Sequence, residues 1–270
     1  MKGEFMTKIE WTNETWNPIT GCTKISAGCQ NCYAEKMAKR LAGRYGYPED
    51  NPFQPGTIHE DKMDSPFGWK KPRNVFVCSM SDLFHDAVSN QTINRILDIC
   101  GQASRHTFQI LTKRAQRLVD GFQFPANVWV GITAENQTEW NKRAHFLQQV
   151  DATVRFVSLE PLLSDIEMGE IGWLNWVVVG AEAGSGARPM EEDWVRHIRD
   201  QVKNHHIPFF YKQRIDGGKK ISMPTLDDSV WEEYPEVGLQ KKQAVKQGND
   251  PLQIKDYSGS KNQECNVSVA

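Results

Sequence analysis

No apolar run in this chain approaches the roughly 20 residues that cross a bilayer, and Met1 to Met6 lack the apolar stretch of a secretory signal. A soluble, cytoplasmic protein with no membrane partner is the expectation. Charge of one sign is also missing. Thirty-two Lys and Arg face 34 Asp and Glu, a formal net charge of −2, which argues against coating nucleic acid through the overall field and leaves room only for a local basic groove. Cysteine is scarce, at 6 in 270 residues, too few for a disulfide scaffold. No solenoid-period repeat, Walker loop, nucleophile elbow or H-E-x-x-H motif occurs, so a hydrolase has no local support.

What is present suits a folded chain. A hydrophobic content of 39% over 270 residues can bury a sizeable core and excludes disorder as the overall state. Short β-branched or aromatic runs recur at Trp16 to Thr20, Asn74 to Cys78, Phe108 to Leu111, Val128 to Gly131, Arg155 to Leu159, Trp176 to Val179 and Pro208 to Tyr211. Helical patterns lie between them: Ala34, Met37, Ala38 and Leu41; Ile93, Ile96, Leu97 and Cys100; and Trp194, Val195, Ile198 and Val202. Glu191 to Asp193 mark the first turn of the last helix, with His205 and His206 expected in its last turn.

Strands apolar on both faces, each followed by a helix, predict an α/β fold: a parallel (β/α) barrel, complete or incomplete and TIM-like, or a doubly wound sheet. Either places the active site in the loops after the strands. The expected organisation is an N-terminal extension over 1–10, a barrel over 11–215 with an irregular excursion over 43–72, a C-terminal segment over 216–236, and a polar, weakly ordered tail over 237–270. Trp11, Trp16, Trp129, Trp173 and Trp176 lie in or beside strand patterns and read as core rather than as stacking platforms.

The sharpest motif is Cys22-x6-Cys29-x2-Cys32, placed after the first strand and running into the first helix. Three thiolates so spaced can hold three irons of a [4Fe–4S] cluster and leave the fourth iron open to an exogenous ligand. Gly21 and Gly28 give the loop freedom to wrap an inorganic core. Two readings compete: a zinc site completed by Cys78, His59 or His85, and a coincidental trio of buried thiols. Cys78, Cys100 and Cys265 stand alone.

Polar residues also gather where the other strands end. Thr112-Lys113-Arg114 places two cations at a barrel mouth, where a carboxylate or phosphate could sit, or leaves them as solvated surface charge. Glu135 could bind cofactor hydroxyls or simply favour a helix N-terminus. Glu160 follows an apolar strand directly and precedes Pro161; it points into the mouth or forms a structural salt bridge. Gly180, Glu182, Gly184, Ser185 and Gly186, with Arg188, form a loop whose backbone could approach a ribose, an adenine or a phosphate, or only a tight strand-to-helix connection. Pro189 follows where a dinucleotide fingerprint needs its third glycine. Lys212 could hold an anionic group at the mouth or snorkel to solvent.

The three-cysteine loop, the start Ile9-Glu10-Trp11-Thr12 with Thr15-Trp16-Asn17-Pro18, and the close Leu226-Asp227-Asp228 with Trp231 to Pro235 resemble a phage-associated family named for its three-Cys motif, over about residues 7–235. More distantly they resemble the radical S-adenosylmethionine superfamily. That group usually separates its first two cysteines by three residues, and an aromatic precedes its last cysteine; here six intervene, Asn31 precedes Cys32 and Tyr33 follows it. The resemblance implies a radical-SAM-like barrel that binds S-adenosylmethionine at the open iron and cleaves it to a 5′-deoxyadenosyl radical. It implies that Ser79, Ser81 and Asp82 receive the methionyl amino group, although Ser81 or Asp82 could equally be helix caps. It implies an electron donor, a reductase or flavodoxin-like protein, and a nucleotide or nucleic-acid substrate. The rival functions are a zinc-stabilised binding module and a nucleic-acid accessory protein without chemistry.

Overall fold

Strands buried on both faces need cover on both sides, and here one sheet curls into a half-barrel to provide it. The computed structural model describes residues 9–236. Its elements in chain order are β1 (Glu14–Trp16), β2 (Ile19–Thr20), α1 (Tyr33–Arg40), β3 (Thr57–Ile58), α2 (Glu60–Met63), β4 (Asn74–Val77), α3 (Asn90–Gln102), β5 (Thr107–Thr112), β6 (Val128–Thr133), α4 (Gln137–Gln148), β7 (Val154–Leu159), β8 (Trp176–Gly180), α5 (Glu192–Asn204), β9 (Phe209–Asp216), β10 (Lys219–Ser222), β11 (Thr225–Leu226) and β12 (Ser229–Val230). The main sheet has the order β1-β4-β5-β6-β7-β8-β9-β10. Its first seven strands are parallel, and β10 returns antiparallel to β9. The carboxyl ends of seven strands therefore share one rim. No described helix is long and apolar enough to cross a membrane.

The helices form where local signals agree. Ser89 caps α3 by accepting the Thr92 N–H, and Ile93, Ile96, Leu97 and Cys100 turn one buried stripe towards the sheet. Asn136 caps α4 through the Glu139 N–H. In α5 the stripe is Val195, Ile198 and Val202. These residues and the outward side chains of β4 to β9 make the larger core.

Among the described residues no helix covers the opposite face of the sheet, which is filled with rings. Trp11, Trp129, Phe156, Trp176, Val178 and Phe210 are buried together, with Phe76, Leu111 and Tyr234 packed against them. The register explains the packing, because Leu111, Gly131, Phe156 and Trp176 lie side by side across four strands. A Cβ on Gly131 would stand 2.6 Å from the Phe156 ring, so the absent side chain is what admits that ring. Trp176 donates its indole N–H to the Glu233 carbonyl at 2.8 Å. The 216–236 segment is thereby tied to the half-barrel and forms part of its wall through β10.

The structure corrects several expectations. The first strand is not continuous over Trp16 to Thr20: β1 ends at Trp16, and beyond Pro18, which has no N–H for a ladder, β2 pairs instead with β3. Only four helices of eight residues or more occur among the described residues, so seven strand-then-helix units is an overcount. The β5–β6 connection has a single 3-10 turn over Ala115–Val119, and residues 160–175 between β7 and β8 have no helix. Pro125, and Pro161 with Gly169 and Gly172, break those stretches. His205 and His206 lie beyond α5 rather than in its last turn, and His206 takes a positive φ of 54°. The excursion over 43–72 is mainly irregular but holds β3, α2 and a 3-10 turn. The tail over 237–270 and residues 1–8 lie outside the described residues.

Candidate functional site

A cavity of about 360 Å3 opens on the ring-lined face at the strand carboxyl ends, and Cys22, Cys29 and Cys32 all line it. All three are free thiols and half-buried. Their loop is fixed from several sides. Gly21 holds φ at 85°, and a Cβ there would lie 1.8 Å from the Gln54 carbonyl oxygen; only glycine fits. The Ser81 hydroxyl donates to the Gly21 carbonyl at 2.6 Å. Gly28, in a 3-10 turn over Ala27–Cys29, donates its N–H to Glu135 at 2.8 Å, and a Cβ on it would press within 2.9 Å of that carboxyl carbon. Asn31 donates its amide to Glu182 and to the Gly186 carbonyl, each at 3.0 Å.

Arg114 stands behind the first cysteine. Its side chain is 3% exposed and donates to the Thr23 carbonyl and hydroxyl at 3.1 and 2.9 Å, to Asp82 at 3.3 Å and to the Cys22 sulfur at 3.5 Å. Burial and the Asp82 charge push the Cys22 thiol up to about 11, while Arg114 pulls it down. A bound metal would reverse that net rise, since it binds the thiolate. Asp82 itself is fully engaged, accepting from the Phe84 and Lys113 N–H groups, the Thr112 hydroxyl and Arg114.

The sequence candidates divide accordingly. Ser79, Ser81, Asp82, Glu160, Glu182 and Lys212 line the cavity with the three cysteines. Glu160 accepts from Ser158 at 3.0 Å and from Lys212 at 2.6 Å. Gly180 lies beneath this pair, where a Cβ would be 3.0 Å from the carboxylate. Burial works to raise the Glu182 carboxyl, but Arg188 and Asn31 outweigh it and bring it down to about 2.

Five candidates are not in the cavity lining: Gly180, beneath the Glu160–Lys212 pair, Glu135, Gly184, Ser185 and Gly186. Glu135 is wholly buried behind the cysteine loop; burial opposes its charge, yet Ser26, the Gly28 N–H and Arg143 hold it below the usual carboxylate range. Gly184, Ser185 and Gly186 are exposed; the Gly186 carbonyl accepts from Asn31 of the cysteine loop and the Ser185 carbonyl from Lys36 of α1 at 3.4 Å.

Sequence reasoning missed Ser158, Gln213 and the role of Asn31. The period-two alternation Phe156, Ser158, Glu160 would have found the first. Arg214, Lys219 and Lys220 follow Lys212 closely in sequence, a basic rim in prospect; of the three only Lys220 lines the cavity, carried there by the β9–β10 hairpin and paired with Glu10 at 2.6 Å.

The donor set can be tested against a metal group. Among the described residues no set of three or more His, Cys, Asp and Glu side chains closes around a single ion. The proposed completing ligands for zinc are occupied elsewhere: His59 with Thr20 and His85 with Thr23, each at 2.8 Å, and the Cys78 thiol with the Ile19 backbone. A cubane takes its thiolates at separate corners and leaves one corner for a non-protein ligand. Three thiols around an open cavity fit that demand.

Fold and site define an α/β half-barrel protein with a thiol-lined mouth. More particularly, residues 6–235 match the family described as "Protein of unknown function (DUF5131)", and the chain belongs to that family. No curated protein and no solved structure matches it.

Proposed function

We propose that the protein is an iron–sulfur, S-adenosylmethionine-dependent radical enzyme on a radical-SAM-like half-barrel. The observation that carries this reading is that three free thiols and a set of charged groups from successive strand ends line one cavity. When bound, the cluster would supply the electron that cleaves S-adenosylmethionine to methionine and a 5′-deoxyadenosyl radical, a reductase or flavodoxin-like donor having reduced it first.

The chain's own residues bind and orient. Cys22, Cys29 and Cys32 would hold three irons, and Arg114 favours the thiolate at Cys22. Glu135 and Asn31 set the loop by gripping Gly28 and Glu182. Ser79 and Ser81 offer hydroxyls on the cysteine side of the cavity, while Asp82, already saturated, acts by holding Arg114. Glu160 and Lys212 present a carboxylate beside an ammonium, complementary to the zwitterionic methionyl end of the cofactor. The ring-filled floor beneath them excludes water from the reacting region. A nucleotide or nucleic acid is the proposed substrate.

Anaerobic reconstitution with iron and sulfide tests this. Brown protein with about four iron per chain that forms 5′-deoxyadenosine under reduction is expected. Colourless protein holding one zinc would overturn it.

A further inference from the structure

Helix α1 begins at the cavity, which Tyr33 and Ala34 line, and its exposed face is basic. Ala34 and Ala38 are buried, whereas Tyr33, Lys36, Met37 and Arg40 are exposed at the spacing of one helical stripe. Arg44 and Tyr45 extend the stripe beyond the helix, Tyr45 being 74% exposed. Residues 33–47 contain four Lys and Arg against the single acid Glu35, in a chain whose net charge is −2. Glu35 is already claimed by Lys24 and Lys39, each at 2.9 Å. Among the described residues Lys36, Arg40 and Arg44 pair with no carboxylate; Lys36 and Arg44 reach only backbone carbonyls.

The stripe leads to a matching feature inside. Tyr33 lines the cavity and is 55% exposed, its hydroxyl donating to the Ser79 carbonyl, so the ring stands at the rim. Within the cavity Arg114, Lys212 and Lys220 are each paired with a carboxylate. Lys113 is not: its backbone N–H is held by Asp82, and among the described residues its ammonium has no ion-pair partner. A row of unpaired cations interleaved with exposed aromatic rings is the arrangement that binds a single-stranded polyanion, with phosphates on the cations and bases on the rings. From Tyr33 to Arg40 the helix rises about 10 Å at 1.5 Å per residue, room for more than one phosphate.

We propose that α1 and the following turn seat a single-stranded nucleic acid, which Tyr33 and Lys113 lead into the thiol-lined cavity. This rests on, and deepens, the reading of that cavity as a catalytic site by committing its substrate to a strand rather than a free nucleotide. The strand's charges complement Lys36, Arg40 and Arg44, and its bases complement Tyr33 and Tyr45.

The test is fluorescence anisotropy of a labelled mixed-sequence single-stranded 12-mer, and of the same sequence as duplex, with the full chain. Binding of the single strand in preference to duplex is expected, weakening as salt rises. The triple variant Lys36→Glu, Arg40→Glu, Arg44→Glu should bind about tenfold or more weakly, and its salt dependence should flatten by about two in log–log slope, since each phosphate contact contributes about 0.7. The milder triple Gln variant should follow in the same direction if charge reversal disturbs folding. Reversal of Lys142 and Arg105, exposed elsewhere, should change nothing. No strand binding at low salt, equal affinity for duplex, or wild-type affinity in the Gln variant would each overturn the proposal; the first would leave a protein partner to cover the stripe. Iron content and 5′-deoxyadenosine formation read the catalytic reading separately, so either can fail without the other.

Discussion

The floor and the rim of the half-barrel are built from the same strands yet obey different rules. On the floor, Trp129, Phe156, Trp176 and Phe210 are buried in one apolar cluster, with Gln109 the buried polar residue in register beside Trp129. Two residues further along β7 and β9 stand Ser158 and Lys212, and the rim they begin is charged throughout. Nearly every rim charge is tied to a named partner, Glu160 to Lys212, Glu182 to Arg188, Asp82 to Arg114. Apolar burial supplies stability in proportion to area, whereas charges at a cavity cost free energy unless paired. The floor thus contributes burial, whereas the rim holds its charges by pairing them with one another.

Substitutions should separate the two. Trp176→Ala on the floor should destabilise by about 3–5 kcal/mol, the usual cost of emptying a large aromatic site, read as a lower urea midpoint. Gly131→Val, which must displace the Phe156 ring, should cost about 1–3 kcal/mol. At the rim, Cys22→Ala, Cys29→Ala and Cys32→Ala should each leave the urea midpoint near wild type while iron after reconstitution falls far below about four per chain. If instead the cysteine variants unfold and Trp176→Ala does not, the division is wrong.

A smaller effect concerns pH. The folded-state carboxyl of Glu182 titrates near 2 because Arg188 and Asn31 offset its burial, below the ordinary value of 4.5. Its contribution to stability is therefore complete above 4.5 and lost as pH falls through about 2. Arg188→Met should remove part of the acid-side slope of stability against pH, measured by urea unfolding at stepped pH. A slope unchanged by that variant would show that the pair does not bind the proton differently on folding.

Much of this division was legible before any coordinates. Strand apolarity on both faces points to a covered parallel sheet, and of the five tryptophans that read as core Trp11, Trp16, Trp129 and Trp176 are buried, while Trp173 is half-buried against the larger core. The cysteine spacing and the polar strand ends located the mouth. What escaped was long-range. Nothing local says that Glu135 grips Gly28 across 107 residues, or that the Ser185 and Gly186 carbonyls accept from Lys36 and Asn31 rather than lining the cavity. The split of the first strand was readable from Pro18, and the missing helices from the glycines and prolines of 121–125 and 161–172.

The central claim is the open corner beside three thiolates, and electron paramagnetic resonance of the reduced, reconstituted protein probes it most directly. A cluster signal that shifts when S-adenosylmethionine is added is the predicted result, because the cofactor would bind the iron without a protein ligand. A signal indifferent to the cofactor, or no cluster at all, would contradict the account.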